Sequence, residues 1–303
     1  MAVKTVQTVI NGQTYTLTLN SSTGKYEATI TAPSKSSYNQ SGHYYPVKVT
    51  ATDEAGNLTS KDATDSTLGS SLRLTVKEKV APVIAIVSPT AGSFSTNSKP
   101  TITWKVTDAD SGVNPATIGI TLVCGTNVTG DAITKTAITG GYQCTYTPAT
   151  ALSDGSHTIK LDASDYDGNA AATNSTTFKV DTVPPTLTLS SPADKLITNK
   201  SACTVKGTTN DVTSSPVKVT IKLNSGTAES VTVGRDGSFT KDLTLANGTN
   251  TITVVATDSA GKSTTVTRTV TLDTGAPVIK SVTLTPNPVD CGKTFVISVE
   301  VTD

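Results

Sequence analysis

Three alternating runs, each feeding into an acidic heptad that contains a glycine, constrain this chain more than any other feature. The runs are YPVKVTATD at 45–53, HTIKLDASD at 157–165 and NTITVVATD at 250–258. Every second residue is apolar and the series ends on alanine: Val47, Val49, Ala51; Ile159, Leu161, Ala163; Ile252, Val254, Ala256. A period of two predicts a strand with one buried face. The heptads that overlap the ends of these runs are ATDEAGN (51–57), ASDYDGN (163–169) and ATDSAGK (256–262). In each, an aspartate precedes a glycine by three positions: Asp53 and Gly56, Asp165 and Gly168, Asp258 and Gly261. An aspartate side chain accepts a bond from an N–H two residues on, and glycine tolerates positive φ, so each heptad is predicted to be the corner of a hairpin.

Composition agrees with strands. Roughly a fifth of the residues are Thr, and Val and Ile supply most of the apolar content, which suits a pleated surface better than a helix. Hydrophobic residues make up 35% and aromatic residues 4%, so several small cores are expected rather than one large one. The 24 basic residues balance 24 acidic ones, which removes the net attraction that a nucleic-acid backbone needs. Membrane insertion is not expected either, because no apolar run approaches the roughly 18 residues needed to span a bilayer.

A second recurring signal, proline just ahead of a strand, appears in APVIAIVSP at 81–89, PPTLTLSSP at 184–192 and APVIKSVTL at 276–284. Their spacing of about one hundred residues matches the usual size of a two-sheet sandwich. Domain boundaries are therefore expected at 1–80, 81–183, 184–275 and 276–303. In the second unit the pattern predicts strands at 82–88, 100–107, 116–124, 132–137, 141–147, 156–164 and 171–180, with Ile102, Trp104 and Val106 on one inward face. By pattern, residues 4–79 align with the later part of the third unit and lack its first two strands, whereas 276–303 contain only those two. One expectation is that the C-terminal pair completes the N-terminal unit of a neighbouring copy, or of the same chain curled back, by strand addition. The competing expectations are a piece cut from a longer protein, or a loop at 33–42 (PSKSSYNQSG) that covers the N-terminal unit.

Linkers of the form Asp-Thr-x-x-Pro-x-hydrophobic, the stretch TITWKVTDADSGV and the Ala-Thr-Asp-x-Ala-Gly-Asn hairpins resemble bacterial immunoglobulin-like repeats. The resemblance covers essentially the whole chain. It implies an all-β fold of tandem immunoglobulin-like β-sandwiches with an incomplete unit at each end. It also implies two settings, bacterial surface adhesins and structural proteins of tailed bacteriophages. It specifies no ligand-binding residue.

No reaction can be assembled from the residues. His43 and His157 sit just before equivalent strands, which points to a turn role, and no nucleophile, metal-protease or phosphate-loop pattern accompanies them. Catalytic residues: none are expected, and the chain is read as no enzyme. Among cofactors only calcium is considered. In an immunoglobulin-like sandwich the loop after the second strand and the last hairpin lie at one end. In the second unit these loops carry Asp108 and Asp110 (TDADSG) and Asp165 and Asp167 (SDYDGN), beside the linker that holds Lys77 and Lys79. Calcium takes about six to eight oxygens, and the resemblance to calcium-stiffened adhesin repeats implies that such a site would stiffen the chain. Cys124 and Cys144 are expected on strands of one domain, pointing inward as buried free thiols or, if their Cα atoms come within reach, as a disulfide, and Cys203 and Cys291 as isolated core or loop residues. A start at Met1 without an export signal leads to the expectation of a virion-associated phage protein assembled in the host cytoplasm. Its partners would be other copies of itself, virion proteins and, through weak multivalent contacts, cell-surface carbohydrate. The alternative is a stalk fragment of an adhesin on the bacterial cell surface.

Overall fold

The computed structural model describes residues 2–122, 126–129 and 132–303. Its contacts divide it into two compact units, Met1–Val180 and Asp181–Asp303. The three alternating runs are strands, Tyr45–Asp53, Gly155–Asp165 and Gly248–Thr257, and each pairs antiparallel with the strand after its heptad: Leu58–Lys61, Asn174–Val180 and Ser263–Leu272. Alternation decides which side chains enter the interior. Ile159, Leu161, Ala163, Ile252, Val254 and Ala256 are buried, while Val47, Val49 and Ala51 are half-buried.

The first unit opens with a sheet ordered Lys25–Glu27, Gln13–Asn20, Val3–Ile10, Tyr45–Asp53 and Leu58–Lys61, with Arg73–Leu74 pairing the start of Tyr45–Asp53. Among the described residues of this region, only Val6, Tyr45 and Ala63 are buried apolar ones. It is followed in the same unit by a full sandwich. One sheet runs Thr126–Thr129, Val113–Leu122, Gly155–Asp165, Asn174–Val180 and Phe94–Ser95; the other runs Thr134–Ile138, Gly141–Tyr146, Ile102–Thr107 and Val83–Ser88. Ile102, Trp104 and Val106 alternate into the space between the sheets, where they meet Ile118, Ile120, Ile159, Leu161, Phe178 and Cys144 without solvent contact.

The second unit repeats the scheme. Thr186–Ser191, Ala202–Asn210 and Ser238–Thr244 form one sheet, and Leu196–Thr198, Ser263–Leu272, Gly248–Thr257, Lys218–Leu223 and Glu229–Val231 the other. Val205, Val219, Ile221, Phe239, Ile252, Val254 and Val270 fill the interior. Gly207 stands where a side chain has no room, since a Cβ there would lie 2.5 Å from the Thr188 carbonyl oxygen and 2.6 Å from the Phe239 ring. The unit ends in a hairpin, Val278–Thr285 with Val296–Thr302, whose residues are all exposed, including Val282, Leu284, Ile297 and Val299.

The structure departs from the predicted strands in three respects, one being the separate strand Thr126–Thr129, which pairs antiparallel with Val113–Leu122. The third strand of the second sandwich begins at Val113 rather than 116, and its register with Gly155–Asp165 breaks between Asn114 and Gly119, where Pro115 withholds a ladder donor. In both sandwiches a short extra strand follows the Ser-Pro that ends the first strand. Phe94–Ser95 lies parallel to Asn174–Val180, and Leu196–Thr198 parallel to Ser263–Leu272. The chain therefore crosses from one sheet to the other at these prolines.

Trp104 is the single tryptophan of the chain and is fully buried, with an indole N–H that has no hydrogen-bond partner. Trp104→Ala is expected to destabilise its sandwich by about 3–5 kcal/mol through the cavity it leaves. Trp104→Phe should cost less, because it also removes the unpartnered donor. Urea unfolding followed by circular dichroism measures both.

Candidate functional site

The heptads fold as the Asp–Gly spacing requires, with Gly56, Gly168 and Gly261 at φ of 87°, 94° and 90°. Asp53 Oδ1 accepts the N–H groups of Ala55 (2.9 Å) and Asn57 (2.8 Å), and its Oδ2 accepts the Asn57 side-chain amide (2.9 Å). The Asn57 amide, more than any other group, holds the Asp53 carboxyl below the usual carboxylate range. Asp165 repeats the arrangement one module later: Asn169 donates its N–H to Oδ1 (2.8 Å) and its side-chain amide to Oδ2 (2.7 Å). The third heptad ends in lysine instead. Lys262 donates its N–H to Asp258 Oδ1 (2.9 Å) but has no amide to offer the other oxygen. Asp258 Oδ2 is buried without a hydrogen-bond partner.

The four acids singled out in the second module take two different roles. Asp108 and Asp165 come together with Glu78 of the preceding linker, with one carboxylate oxygen of each within 4.8 Å of the others. Asp108 Oδ1 accepts the N–H groups of Asp110 (3.0 Å) and Gly112 (2.7 Å), and Glu78 accepts the N–H of Ser111 (2.5 Å). Asp110 and Asp167 are not part of this group. Asp110 accepts from the Ser36 N–H (3.0 Å) and the Asn39 side-chain amide (2.9 Å), and Asp167 from the Glu78 N–H (3.0 Å). Lys77 reaches the Asp167 carbonyl at 3.4 Å rather than a carboxylate. These bonds fasten the linker and the 33–42 loop to the loops of the sandwich. The Tyr38 ring adds to them by stacking on His43 (4.0 Å between centroids) and on Tyr166 (4.2 Å).

A second cluster of the same kind, not anticipated from sequence, lies in the second unit. Asp181 opens that unit, Asp211 follows the strand Ala202–Asn210, and Asp258 belongs to the third heptad; their carboxylate oxygens also lie within 4.8 Å of one another. The same interval along the chain separates Glu78 from Asp108 and Asp181 from Asp211, a signal that was available in the sequence. Burial distinguishes the two groups. Asp181, Asp211 and Asp258 are 1%, 8% and 5% exposed, whereas Glu78 and Asp108 are half-buried. The buried Ser214 hydroxyl lies between Asp181 and Asp211 and is within bonding distance of both. Asp211 Oδ1 also accepts the N–H groups of Thr213 (2.8 Å) and Ser214 (2.6 Å). Beside Asp211 opens a cleft of about 1140 Å³, whose walls include Thr186, Thr209, Val219, Arg235 and Asp236 and no aromatic side chain.

Both histidines bond to backbone carbonyls. His43 Nδ1 lies 2.8 Å from the Tyr38 oxygen and His157 Nε2 2.7 Å from that of Ser153. Cys144 and Cys203 are buried free thiols and Cys291 is an exposed one; Cys124 lies outside the described residues, so its relation to Cys144 is not described. Burial pushes the Cys144 thiol up to about 11 and raises that of Cys203 as well.

Residues 88–182 match the family model of the bacterial Ig-like domain, and residues 185–274 that of glucodextranase, domain B. The chain is a tandem immunoglobulin-like domain protein. Over 199 residues this tandem protein is 33% identical to bacillopeptidase F of Bacillus subtilis (strain 168), a match that covers 66% of the chain and only 12% of the peptidase. Among solved structures it is similar to the fibronectin(III)-like modules of Clostridium thermocellum CbhA, at 17% identity and a TM-score of 0.37 over 63% of this chain and 94% of that one. It is also similar to Sidekick-1 immunoglobulin domains 1–4, at 10% identity and a TM-score of 0.39 over 89% of this chain and 68% of that one.

With two thiols buried and raised, native protein treated with iodoacetamide at pH 8 is expected to be alkylated at Cys291 well before Cys144 or Cys203. Both buried thiols should react once the chain is denatured. Peptide mass mapping over a time course reads the order.

Proposed function

We propose that this tandem immunoglobulin-like chain is a non-enzymatic spacer with adhesive capacity, displayed on a virion or a cell surface and acting through many weak contacts. The observation that carries this reading is how the polar side chains are used. Asp110 and Asp167 fasten the 33–42 loop and the linker, Asp108 and Asp165 close their own loops, and both histidines bond to backbone carbonyls in their own turns. The cleft beside Asp211 fits the same reading, because specific ligand pockets are usually enclosed and lined by aromatic groups. Shallow contacts of this kind gain strength only when copies act together.

The test compares one soluble copy with many copies coupled to a bead, each passed over immobilised bacterial cells and glycan-coated surfaces. Retention of the beads with free elution of the single copy is expected. Beads that elute like uncoated ones would remove the adhesive part of the proposal, and hydrolysis of protein or glycan substrates by the purified chain would remove the rest.

A second reading rests on the match to a segment of bacillopeptidase F. In it, the modules form an accessory segment that holds a catalytic domain away from a surface. Deleting the modules from such a parent should then leave turnover of a small soluble substrate unchanged and reduce turnover of a surface-bound one. Equal loss on both substrates would count against it.

A further inference from the structure

We propose that the hairpin of Val278–Thr285 and Val296–Thr302 is an assembly element: its apolar face seats on the N-terminal sheet of a second copy of this chain, and its free edge pairs with the segment after Lys25–Glu27 in that copy. Three observations converge on it.

The first is the hairpin's two faces. Ile279, Val282 and Leu284 stand opposite Val301, Val299 and Ile297, so six aliphatic side chains share one face, while Ser281, Thr283, Ser298 and Glu300 share the other. All six are between 42% and 64% exposed. A two-stranded hairpin is marginal in water by itself, and a contiguous apolar face marks an interaction surface.

The second is what covers the same pair of strands elsewhere. In both sandwiches the first strand stops at an X-Pro pair, Ser88-Pro89 or Ser191-Pro192, and the second at an aspartate, Asp108 or Asp211; the hairpin repeats this with Thr285-Pro286 and Asp303. Ile297, Val299 and Val301 thereby fall where Ile102, Trp104 and Val106 lie buried under the opposite sheet. The second strand of each sandwich also pairs on both edges: Ile102–Thr107 with Val83–Ser88 and Gly141–Tyr146, and Ala202–Asn210 with Thr186–Ser191 and Ser238–Thr244. Among the described residues Val296–Thr302 pairs on one edge only.

The third is the N-terminal sheet, which chooses the occupant. Its order Gln13–Asn20, Val3–Ile10, Tyr45–Asp53, Leu58–Lys61 is that of Glu229–Val231, Lys218–Leu223, Gly248–Thr257, Ser263–Leu272. The register agrees residue by residue: Val6, Thr8 and Ile10 face Ala51, Val49 and Val47 as Val219, Ile221 and Leu223 face Ala256, Val254 and Ile252. In the second unit this face packs against the sheet of Thr186–Ser191, Ala202–Asn210 and Ser238–Thr244, but Ile10, Val47, Val49 and Ala51 are only half-buried. The counterpart of Ser238–Thr244 is present and unused: Gly24 matches Gly237, both at positive φ, yet residues 28–33 form no ladder with any described strand. An unpaired edge beside a half-covered face is the kind of site that strand addition fills. Transferring the pairs Gly207–Phe239, Val205–Lys241 and Cys203–Leu243 sets Val299 opposite Tyr26, Ile297 opposite Ala28 and Phe295 opposite Ile30. Reciprocal exchange would close a dimer, and one-way donation would build a ring or a filament.

The proposal stands whether or not the adhesive reading does. Sedimentation velocity of the full chain over a concentration series is expected to show reversible association. Val299→Lys places a charge on the apolar face and should weaken association by about tenfold or more. Ala28→Pro combined with Thr29→Pro removes the donors of the receiving edge and should weaken it by about tenfold. Both variants should keep the native dichroism spectrum, because Val299 is exposed and residues 28–33 pair with no strand in the single copy. Contact is read directly by oxidising a chain with Ala28→Cys, Ile297→Cys and Cys291→Ser, its isotope-labelled and unlabelled forms mixed dilute and then concentrated. A disulfide peptide of mixed label is expected. A chain that stays monomeric throughout the series would overturn the proposal, as would a disulfide formed only within single copies. Association that survives Val299→Lys would also overturn it. Association lost in Val299→Lys but untouched by the two prolines would mean that hairpin meets hairpin, and would overturn it too.

Discussion

A carboxylate that closes a hairpin corner at the edge of a sandwich has to find donors for both of its oxygens, and much of the loop structure follows from how that is done. One oxygen is always answered by the backbone four residues on, because the glycine turn brings that N–H back to the aspartate. The other depends on the side chain at the same position. Where it is asparagine, the corner is complete in itself, and the same amide can also reach outward, as Asn169 does to the Glu78 carbonyl at 3.2 Å. The corner then becomes a fastening point for the linker as well as a turn.

The sandwich interiors obey a simpler rule. Alternation sends one face inward, and two such faces cover each other when a module has both sheets, as around Trp104 and around Phe239. Where a sheet lacks such a cover, the same alternation leaves side chains partly wet. Val47, Val49 and Ala51 follow the pattern of Ile252, Val254 and Ala256, yet only the latter are fully enclosed. The apolar residues of the C-terminal hairpin are the extreme case, exposed on both faces. Local sequence sets the direction of each side chain, and the presence of a second layer sets its burial.

This distinction explains what could be read in advance. The three alternating strands, the Asp–Gly corners and the inward face of Ile102, Trp104 and Val106 were legible because each depends on neighbours a few residues away. Phe94–Ser95 and Leu196–Thr198 were not, since strands of two or three residues carry no period and are fixed by a parallel partner far along the chain. The acids divide in the same way. That Asp108 and Asp165 lie at one end of a sandwich follows from loop order, but their third companion is Glu78, a linker residue placed by the Ser111 N–H. Asp110 and Asp167 resemble ligands in sequence and are drawn off by Ser36, Asn39 and Glu78, donors that no local pattern identifies.

The two acid clusters show that fold and site vary independently in this chain. Both modules keep the corner glycine, the backbone bond to the aspartate and the linker acid, so the hydrogen bonds that define the architecture are the same in each. What differs is the side chain that answers one oxygen and the depth at which the acids lie. A residue that contributes little to the core, Asn169 in one module and Lys262 in the other, thereby decides whether a buried carboxylate is satisfied from within the hairpin or keeps one oxygen without a hydrogen-bond partner. Because the corner tolerates either residue, repeats of one fold can differ in that bond without any change in their strands.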